Sequence, residues 1–190
     1  MKRIPLICAT AVLALAACQK NQSYSEAGNT TEPNATESAP SNAVAMNGAG
    51  PTAAAIDTQF VTDGIKGDTA EVAIADLAKQ KGSTAAVRDL GNMLSTDHGA
   101  HKDKLIALAQ KNNVPVPTEP AAEGKANLDK LTKLSGAAFD STLKQMLIAS
   151  HTKGIAKNEK QASGPDPQTA ALARDTVPVL KKHLAAAQAL

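Results

Sequence analysis

The sequence has few aromatic residues. It contains no tryptophan, one tyrosine and two phenylalanines among 190 residues. Proteins that bind single-stranded nucleic acids stack the bases on aromatic rings, and aromatic sugar-binding surfaces need the same side chains. Charge of either sign is also not in excess, with 20 lysines and arginines against 18 aspartates and glutamates. The composition therefore predicts no nucleic-acid partner.

Cysteine is equally scarce, and both copies, Cys8 and Cys18, lie near the N-terminus. Residues 1–3 form a short basic region, residues 4–17 are almost wholly apolar, and small residues directly precede Cys18. This is the pattern of a secretory signal, and its apolar run is shorter than the roughly 20 residues that span a bilayer. The motif Leu-Ala-Ala-Cys also resembles the lipobox of bacterial lipoproteins, in which the cysteine is acylated and becomes the new N-terminus. The alternative is an ordinary signal peptide that happens to precede a cysteine.

The lipobox resemblance predicts a lipoprotein signal peptide at residues 1–17 and a membrane anchor through lipid on Cys18. Cys8 is then removed, so no pair of thiols remains for a disulfide. Lys2 and Arg3 are removed as well, which leaves 18 basic residues against 18 acidic ones. Gln19, in place of aspartate after the cysteine, resembles an outer-membrane sorting address. We therefore expect a protein of the bacterial cell envelope, anchored to the outer membrane and facing the periplasm.

Residues 18–55 form the lipidated cysteine and a predicted disordered tether. This segment is rich in Asn, Ser, Thr, Glu, Pro, Gly and Ala and shows no hydrophobic period. Such a chain cannot bury enough apolar surface to offset the entropy lost on ordering.

Residues 56–190 are long enough for one domain, and their composition predicts an all-α fold. Ala, Leu, Lys and Gln fill the segments between breaks that are rich in Gly and Pro. The predicted elements are helix one from a cap at Asp57 or Thr58 to about Gln80, helix two from a cap at Ser83 to about Asn112, a shorter helix from about Pro120 to Leu134, helix three from about Ala137 to Ala162, and helix four after a cap at Asp166.

Short turns join helices one and two and helices three and four, so each pair should be antiparallel. The longer middle connection contains the short helix. This arrangement predicts a ferritin-like four-helix bundle with a longer, helix-containing connection between helices two and three.

The four histidines of the chain all fall on predicted apolar faces. His98 and His101 lie at helical spacing among leucines of helix two, His151 lies between apolar residues of helix three, and His183 follows a leucine of helix four by three positions. If the two short turns lie at the same end, a rise of about 1.5 Å per residue places all four histidines at a similar level.

A cluster of inward histidines indicates a metal site, because imidazole is a good ligand for Zn, Cu and Fe. The alternative is that these are packing histidines, each hydrogen-bonded to a carboxylate or a hydroxyl group. We expect at most one transition metal ion (Zn, Cu or Fe), and the candidate metal ligands are Glu71, Asp97, His98, His101, His151 and His183.

Four parts of the helical region carry recognisable motifs. They are Glu71–Val72 with Leu77–Ala78, Met93–His98, Leu134–Asp140 with Met146 and His151, and Val177–Leu184. Together they resemble an uncharacterised bacterial family of predicted outer-membrane and periplasmic proteins with a ferritin-like bundle. The resemblance covers about Phe60 to Ala187 and implies the fold and the compartment, but no established activity.

True di-iron ferritins need a glutamate on each of two helices and Glu-x-x-His on the other two. Helix two instead has His98-x-x-His101, and helix four has Leu180 at the glutamate position, so a di-iron centre is not expected. No nucleophile motif or phosphate-binding loop is present either, which disfavours an enzyme.

Two hypotheses remain. The first is an envelope lipoprotein with a non-enzymatic, interaction or stress-related role and a possible envelope protein partner. The second is a His-rich metal-binding bundle for storage, sensing or redox protection.

Overall fold

The computed structural model describes residues 55–190, and within this range the chain forms five α-helices and no β-strand. The predicted all-α class is therefore confirmed. The predicted signal peptide, Cys18 and nearly all of the tether lie outside the described residues. No helix between residues 55 and 190 is long and apolar enough to cross a membrane. The helices are α1 (Thr58–Lys81), α2 (Ala85–Lys111), α3 (Ala122–Thr132), α4 (Gly136–Ala162) and α5 (Pro167–Ala189).

Two of the predicted N-caps are present. The Asp57 carboxylate accepts a hydrogen bond from the backbone N–H of Phe60 at 2.9 Å, which satisfies one of the free donors at the start of α1. The Asp166 carboxylate accepts from the N–H groups of Gln168 and Thr169 at the start of α5, and Pro167 occupies the first helical position.

The N-cap of α2 is Thr84, so the prediction of Ser83 is wrong by one residue. The Thr84 hydroxyl accepts from the backbone N–H of Val87 at 3.2 Å. Ser83 directs both its N–H and its hydroxyl to the carboxylate of Asp140, near the start of α4. Either residue type caps helices well, and the tertiary contact to Asp140 takes Ser83 out of the cap position.

The two short turns lie at opposite ends of the domain. The contact between Ser83 and Asp140 places the α1–α2 turn beside the start of α4. At the other end, the Asp57 N–H donates to Asp166 at 3.0 Å, so α1 begins beside the α4–α5 turn. Helices α1 and α5 therefore run in one direction and α2 and α4 in the other. The connection that contains α3 returns the chain along the length of the domain.

The apolar core consists of two clusters. The first cluster lies towards the α1–α2 turn and the second towards the α4–α5 turn. The first contains Ile74, Ala75, Ala78, Val87, Leu90, Leu94, Leu131, Phe139, Leu143, Leu147 and Ala187. The second contains Phe60, Val61, Ile65, Leu105, Ala109, Val114 and Ala173.

Helix α3 packs against α1. The backbone N–H of Ala121, just before α3, donates to the carbonyl of Lys66 at 3.1 Å. A Cβ atom on Gly124 would overlap the Cβ of Ala70, so the absence of a side chain allows α3 to approach α1 closely.

Candidate metal centre

A layer of buried polar side chains separates the two apolar clusters. It contains Asp68, His98, His151 and His183, which are between 1% and 7% exposed. We call these four residues the histidine layer. They come from α1, α2, α4 and α5 respectively, so each long helix contributes one residue.

The three histidines of this layer direct one ring nitrogen each towards a common point. His98 Nε2 lies 3.5 Å from His151 Nε2, and His151 Nε2 lies 3.3 Å from His183 Nδ1. All three atoms lie within 4.8 Å of one another. The histidines meet although the turns are at opposite ends, because His98 and His151 lie near the middle of α2 and α4, and the middle of a helix is at the same level when measured from either end.

The outer ring nitrogen of each histidine contacts an oxygen atom. His98 Nδ1 lies 2.9 Å from Asp68 Oδ1, His183 Nε2 lies 2.9 Å from Asp97 Oδ2, and His151 Nδ1 lies 2.9 Å from the carbonyl oxygen of Leu147. A carboxylate or a carbonyl has no proton to give, so each outer nitrogen carries the hydrogen and donates it. In the neutral rings, the three inner nitrogens therefore present lone pairs to one another.

Burial lowers the pKa of two of the three rings. The pKa of His183 falls to about 4, chiefly because burial disfavours the charged ring, and the hydrogen bond to Asp97 offsets only part of this effect. Burial also lowers the pKa of His151. Both rings are consequently neutral at pH 7 and can act as metal ligands.

His98 behaves differently because it faces negative charge. Burial alone would lower its pKa, but the hydrogen bond to Asp68 and the charge of Glu71 outweigh burial and raise it. Burial would in turn raise the pKa of Asp68, but hydrogen bonds from His101 and His98 lower it overall. A proton on His98 Nε2 can be donated to His151 Nε2 in the absence of metal, and a bound cation would displace that proton.

The spacing of the inner nitrogens fits a metal ion. With Zn–N bonds of 2.0–2.1 Å and tetrahedral angles, two imidazole nitrogens are expected to lie about 3.3–3.4 Å apart. The two measured separations are 3.5 and 3.3 Å. Both agree with the expected value, and the third separation, between His98 and His183, is at most 4.8 Å.

The other predicted ligands lie around the triad. His101 Nδ1 donates to the second oxygen of Asp68 at 2.7 Å, and Asp97 accepts the hydrogen bond from the outer nitrogen of His183. Glu71 lines the cavity next to the triad, and its buried Oε2 has no hydrogen-bond partner within residues 55–190. Of the six candidates, the structure thus brings together His98, His151 and His183 and places Glu71 beside them, with His101 and Asp97 in the surrounding shell.

Sequence reasoning missed Asp68, which connects His98 to His101. A signal was present, because Asp68 continues the buried stripe of α1 formed by Val61, Ile65 and Ala75 at helical spacing. An acidic residue within an apolar stripe needs a buried partner, and a histidine on a facing helix is one of the few available.

A family model described as a domain of unknown function, DUF4142, matches residues 42–190 of this chain. The chain belongs to the DUF4142 family. The prediction of an uncharacterised domain family is thereby confirmed, and the match includes every residue of the histidine layer.

A solved structure shares the fold of this DUF4142 domain. The crystal structure of a DUF305 fragment from Deinococcus radiodurans aligns with a TM-score of 0.62 and 15% sequence identity, and the alignment covers 70% of this chain and 92% of the fragment. At this identity the similarity concerns the fold alone. No curated protein sequence matches this chain.

Proposed function

We propose that this DUF4142 protein binds one transition metal ion through His98, His151 and His183. The observation that carries the proposal is the set of three inner ring nitrogens, whose outer partners force their lone pairs towards one point. A bound metal cation accepts all three lone pairs at once, whereas a proton on His98 Nε2 can be shared with only one neighbouring nitrogen. The second sequence hypothesis, a His-rich metal-binding bundle, is therefore the one that the site geometry favours.

The donor set fits Zn²⁺ and also suits copper and iron. Three imidazoles with a fourth position for a carboxylate or a water are a common arrangement for zinc. Glu71 is the candidate carboxylate, because it lines the adjoining cavity and its buried Oε2 has no hydrogen-bond partner within residues 55–190. Asp68, Asp97 and the Leu147 carbonyl orient the three rings, as hydrogen-bond partners behind metal ligands generally do.

We further propose that the domain is a ferritin-like four-helix bundle without a di-iron centre. The directions of α1, α2, α4 and α5, with a long return connection between α2 and α4, are those of bundles that have one crossover.

We also propose that lipid on Cys18 tethers the domain to the outer membrane on its periplasmic side. A Cys18→Ala variant should then lose incorporation of radiolabelled palmitate and be released from the membrane fraction. An envelope protein partner stays a prediction from the sequence.

Metal content of the protein tests the proposal. The chain, purified without a polyhistidine tag, should carry close to one equivalent of metal after incubation with Zn²⁺ and gel filtration, as measured by plasma mass spectrometry. The variants His98→Ala, His151→Ala and His183→Ala should each lose that equivalent, because a triad with one ligand missing retains only two nitrogens.

Leu147→Ala serves as the matched control. Leu147 lies one turn before His151 and is equally buried, so its truncation should destabilise the core by about 2–5 kcal/mol without removing a ligand. This variant should keep its metal. If the parent protein binds no Zn²⁺, Cu²⁺ or Fe²⁺, or if the three histidine variants bind as much as Leu147→Ala, the metal proposal is wrong.

A further inference from the structure

A cavity of about 330 Å³ connects the triad to the surface between α1, α3 and α4. His98, His151 and His183 lie along its inner wall. On the solvent side, two exposed ion pairs cross it: Lys157 lies 2.8 Å from Asp63 of α1, and Lys153 lies 2.9 Å from Glu123 of α3. Exposed ion pairs of this kind contribute little stability and exchange readily with water, so they do not seal the cavity.

Three buried polar atoms along this cavity have no hydrogen-bond partner within residues 55–190. They are Glu71 Oε2, His101 Nε2 and Asn158 Oδ1. The amide nitrogen of Asn158 already donates to the Gly154 carbonyl at 2.9 Å, and His101 donates from Nδ1 to Asp68. The two free oxygens, on Glu71 and Asn158, are therefore acceptors, and His101 Nε2 is an acceptor in the neutral ring. The side chain of Asn158 is the furthest from the triad, seven residues or about 10 Å along α4 from His151.

The charge of the cavity lining is negative. Five carboxylates and two lysines line it. The two lysines are paired with Asp63 and Glu123 at the surface, and Asp68 and Asp97 accept hydrogen bonds from histidines. That leaves Glu71, whose buried Oε2 has no hydrogen-bond partner among residues 55–190. A lining of this sign attracts cations and repels anions.

We propose that this cavity is the route by which a hydrated divalent cation reaches the triad. The water molecules around such a cation donate hydrogen bonds outward, and Glu71 Oε2 and Asn158 Oδ1, which have no partner within residues 55–190, can only accept them. The cation binds first as a hydrate among Asn158, His101 and Glu71 and then exchanges its waters for the three histidine nitrogens. This inference rests on the proposed function, because it concerns access to the same metal site.

A substitution at Gly67 tests the route without changing a ligand. Gly67 lines the cavity, and a Cβ atom added there would meet no atom within 4 Å, so a side chain can be attached at this position to narrow the cavity. The matched control is Gly99→Leu. Gly99 is also within a helix and its added Cβ also meets nothing within 4 Å, but it does not line the cavity.

The measurement uses Co²⁺, whose visible absorption reports coordination by the triad. Stopped-flow mixing gives the association rate, and transfer to excess EDTA gives the release rate. In Gly67→Leu both rates should fall by at least about tenfold, while the equilibrium Kd stays unchanged. Tenfold is the lower end of the gain in association rate that electrostatic focusing along a charged cleft provides. Gly99→Leu should match the parent. Asn158→Leu should slow association with the same Kd, because it removes an acceptor remote from the triad.

Rates in Gly67→Leu equal to those of Gly99→Leu and the parent would overturn the proposal, since the cation would then reach the triad elsewhere. A weaker Kd with an unchanged association rate would also overturn it, because Gly67 would then affect the site and not the route. A parent protein that shows no Co²⁺ spectrum at all would be a different result, which removes the proposed metal site together with its access route.

Discussion

Replacement of Asp68 tests how the histidine layer is held together. Its carboxylate accepts one hydrogen bond from His98 at 2.9 Å and another from His101 at 2.7 Å, and the residue is 6% exposed. Hydrogen bonds to a charged group contribute about 1.5–3 kcal/mol each, and a buried donor that loses its partner costs a similar amount. Asp68→Ala should therefore lower the free energy of unfolding of the metal-free protein by about 3–5 kcal/mol.

Asp68→Asn should cost much less, about 1–2 kcal/mol, because one histidine can change its tautomer. The asparagine oxygen still accepts from His98. Its NH₂ group would face the Nδ1–H of His101, so two donors would meet. His101 Nε2 has no partner within residues 55–190, and the ring proton can move there from Nδ1. His101 Nδ1 then accepts from the asparagine, so both hydrogen bonds survive and only the charge is lost.

Urea denaturation followed by circular dichroism, with EDTA present at pH 7.5, measures both free energies. Zn²⁺ affinity, measured by competition with a chromophoric chelator, should fall about 10- to 100-fold in Asp68→Asn, because the carboxylate no longer supports His98 as a ligand. Asp63→Asn, an exposed position on the same helix, is the control and should stay within about 0.5 kcal/mol of the parent. Equal destabilisation by asparagine and alanine would refute the tautomer argument, and unchanged Zn²⁺ affinity would refute the role of the charge.

Three further predictions concern pH, capping and packing. The pKa of His183 falls from 6.5 to about 4 on folding, so the unfolded chain binds an extra proton between these pH values. His183 should therefore contribute a loss of about 3 kcal/mol to metal-free stability between pH 7 and pH 4, and urea titrations of His183→Gln should lack this component. Asp166→Ala removes the acceptor of three backbone N–H groups and should cost about 2–3 kcal/mol in the same assay, with Asp166→Asn closer to the parent. Gly67→Ala should raise the melting temperature, because alanine favours the helix by about 1 kcal/mol over glycine and its Cβ meets no neighbour. Gly64→Ala should lower the melting temperature or leave it unchanged, because the new Cβ would lie 2.7 Å from a methyl carbon of Leu105.

The helices were predictable because the chain marks their ends chemically. Gly82 and the segment from Gly164 to Pro167 cannot continue a helix easily, and Asp57 and Asp166 are good caps, so the boundaries agree with the structure to within a few residues. The inward direction of the histidines also followed from their helical spacing among leucines. These features depend on neighbours within one helix.

Features that depend on contacts between helices were not predictable in the same way. The spacing of residues within α1–α2 and within α4–α5 does not say whether the turns of these two helix pairs lie at the same end of the domain or at opposite ends. The contacts of Ser83 with Asp140 and of Asp57 with Asp166 place them at opposite ends. Asp68 was missed for a related reason. Its place in the apolar stripe of α1 indicates a buried partner, but only the packed structure shows that it accepts from two histidines of α2.

The histidine layer also has a consequence for the alignment of the helices that does not depend on metal. A shift of one long helix by a single turn, about 5.4 Å, would move its polar residue into an apolar cluster and leave the partner rings without acceptors. Two apolar clusters alone would tolerate such a shift better, because apolar side chains need contact area but no particular hydrogen-bond partner. We therefore expect that apolar residues in place of Asp68, His98, His151 and His183 would leave a helical protein whose helices no longer share one fixed register.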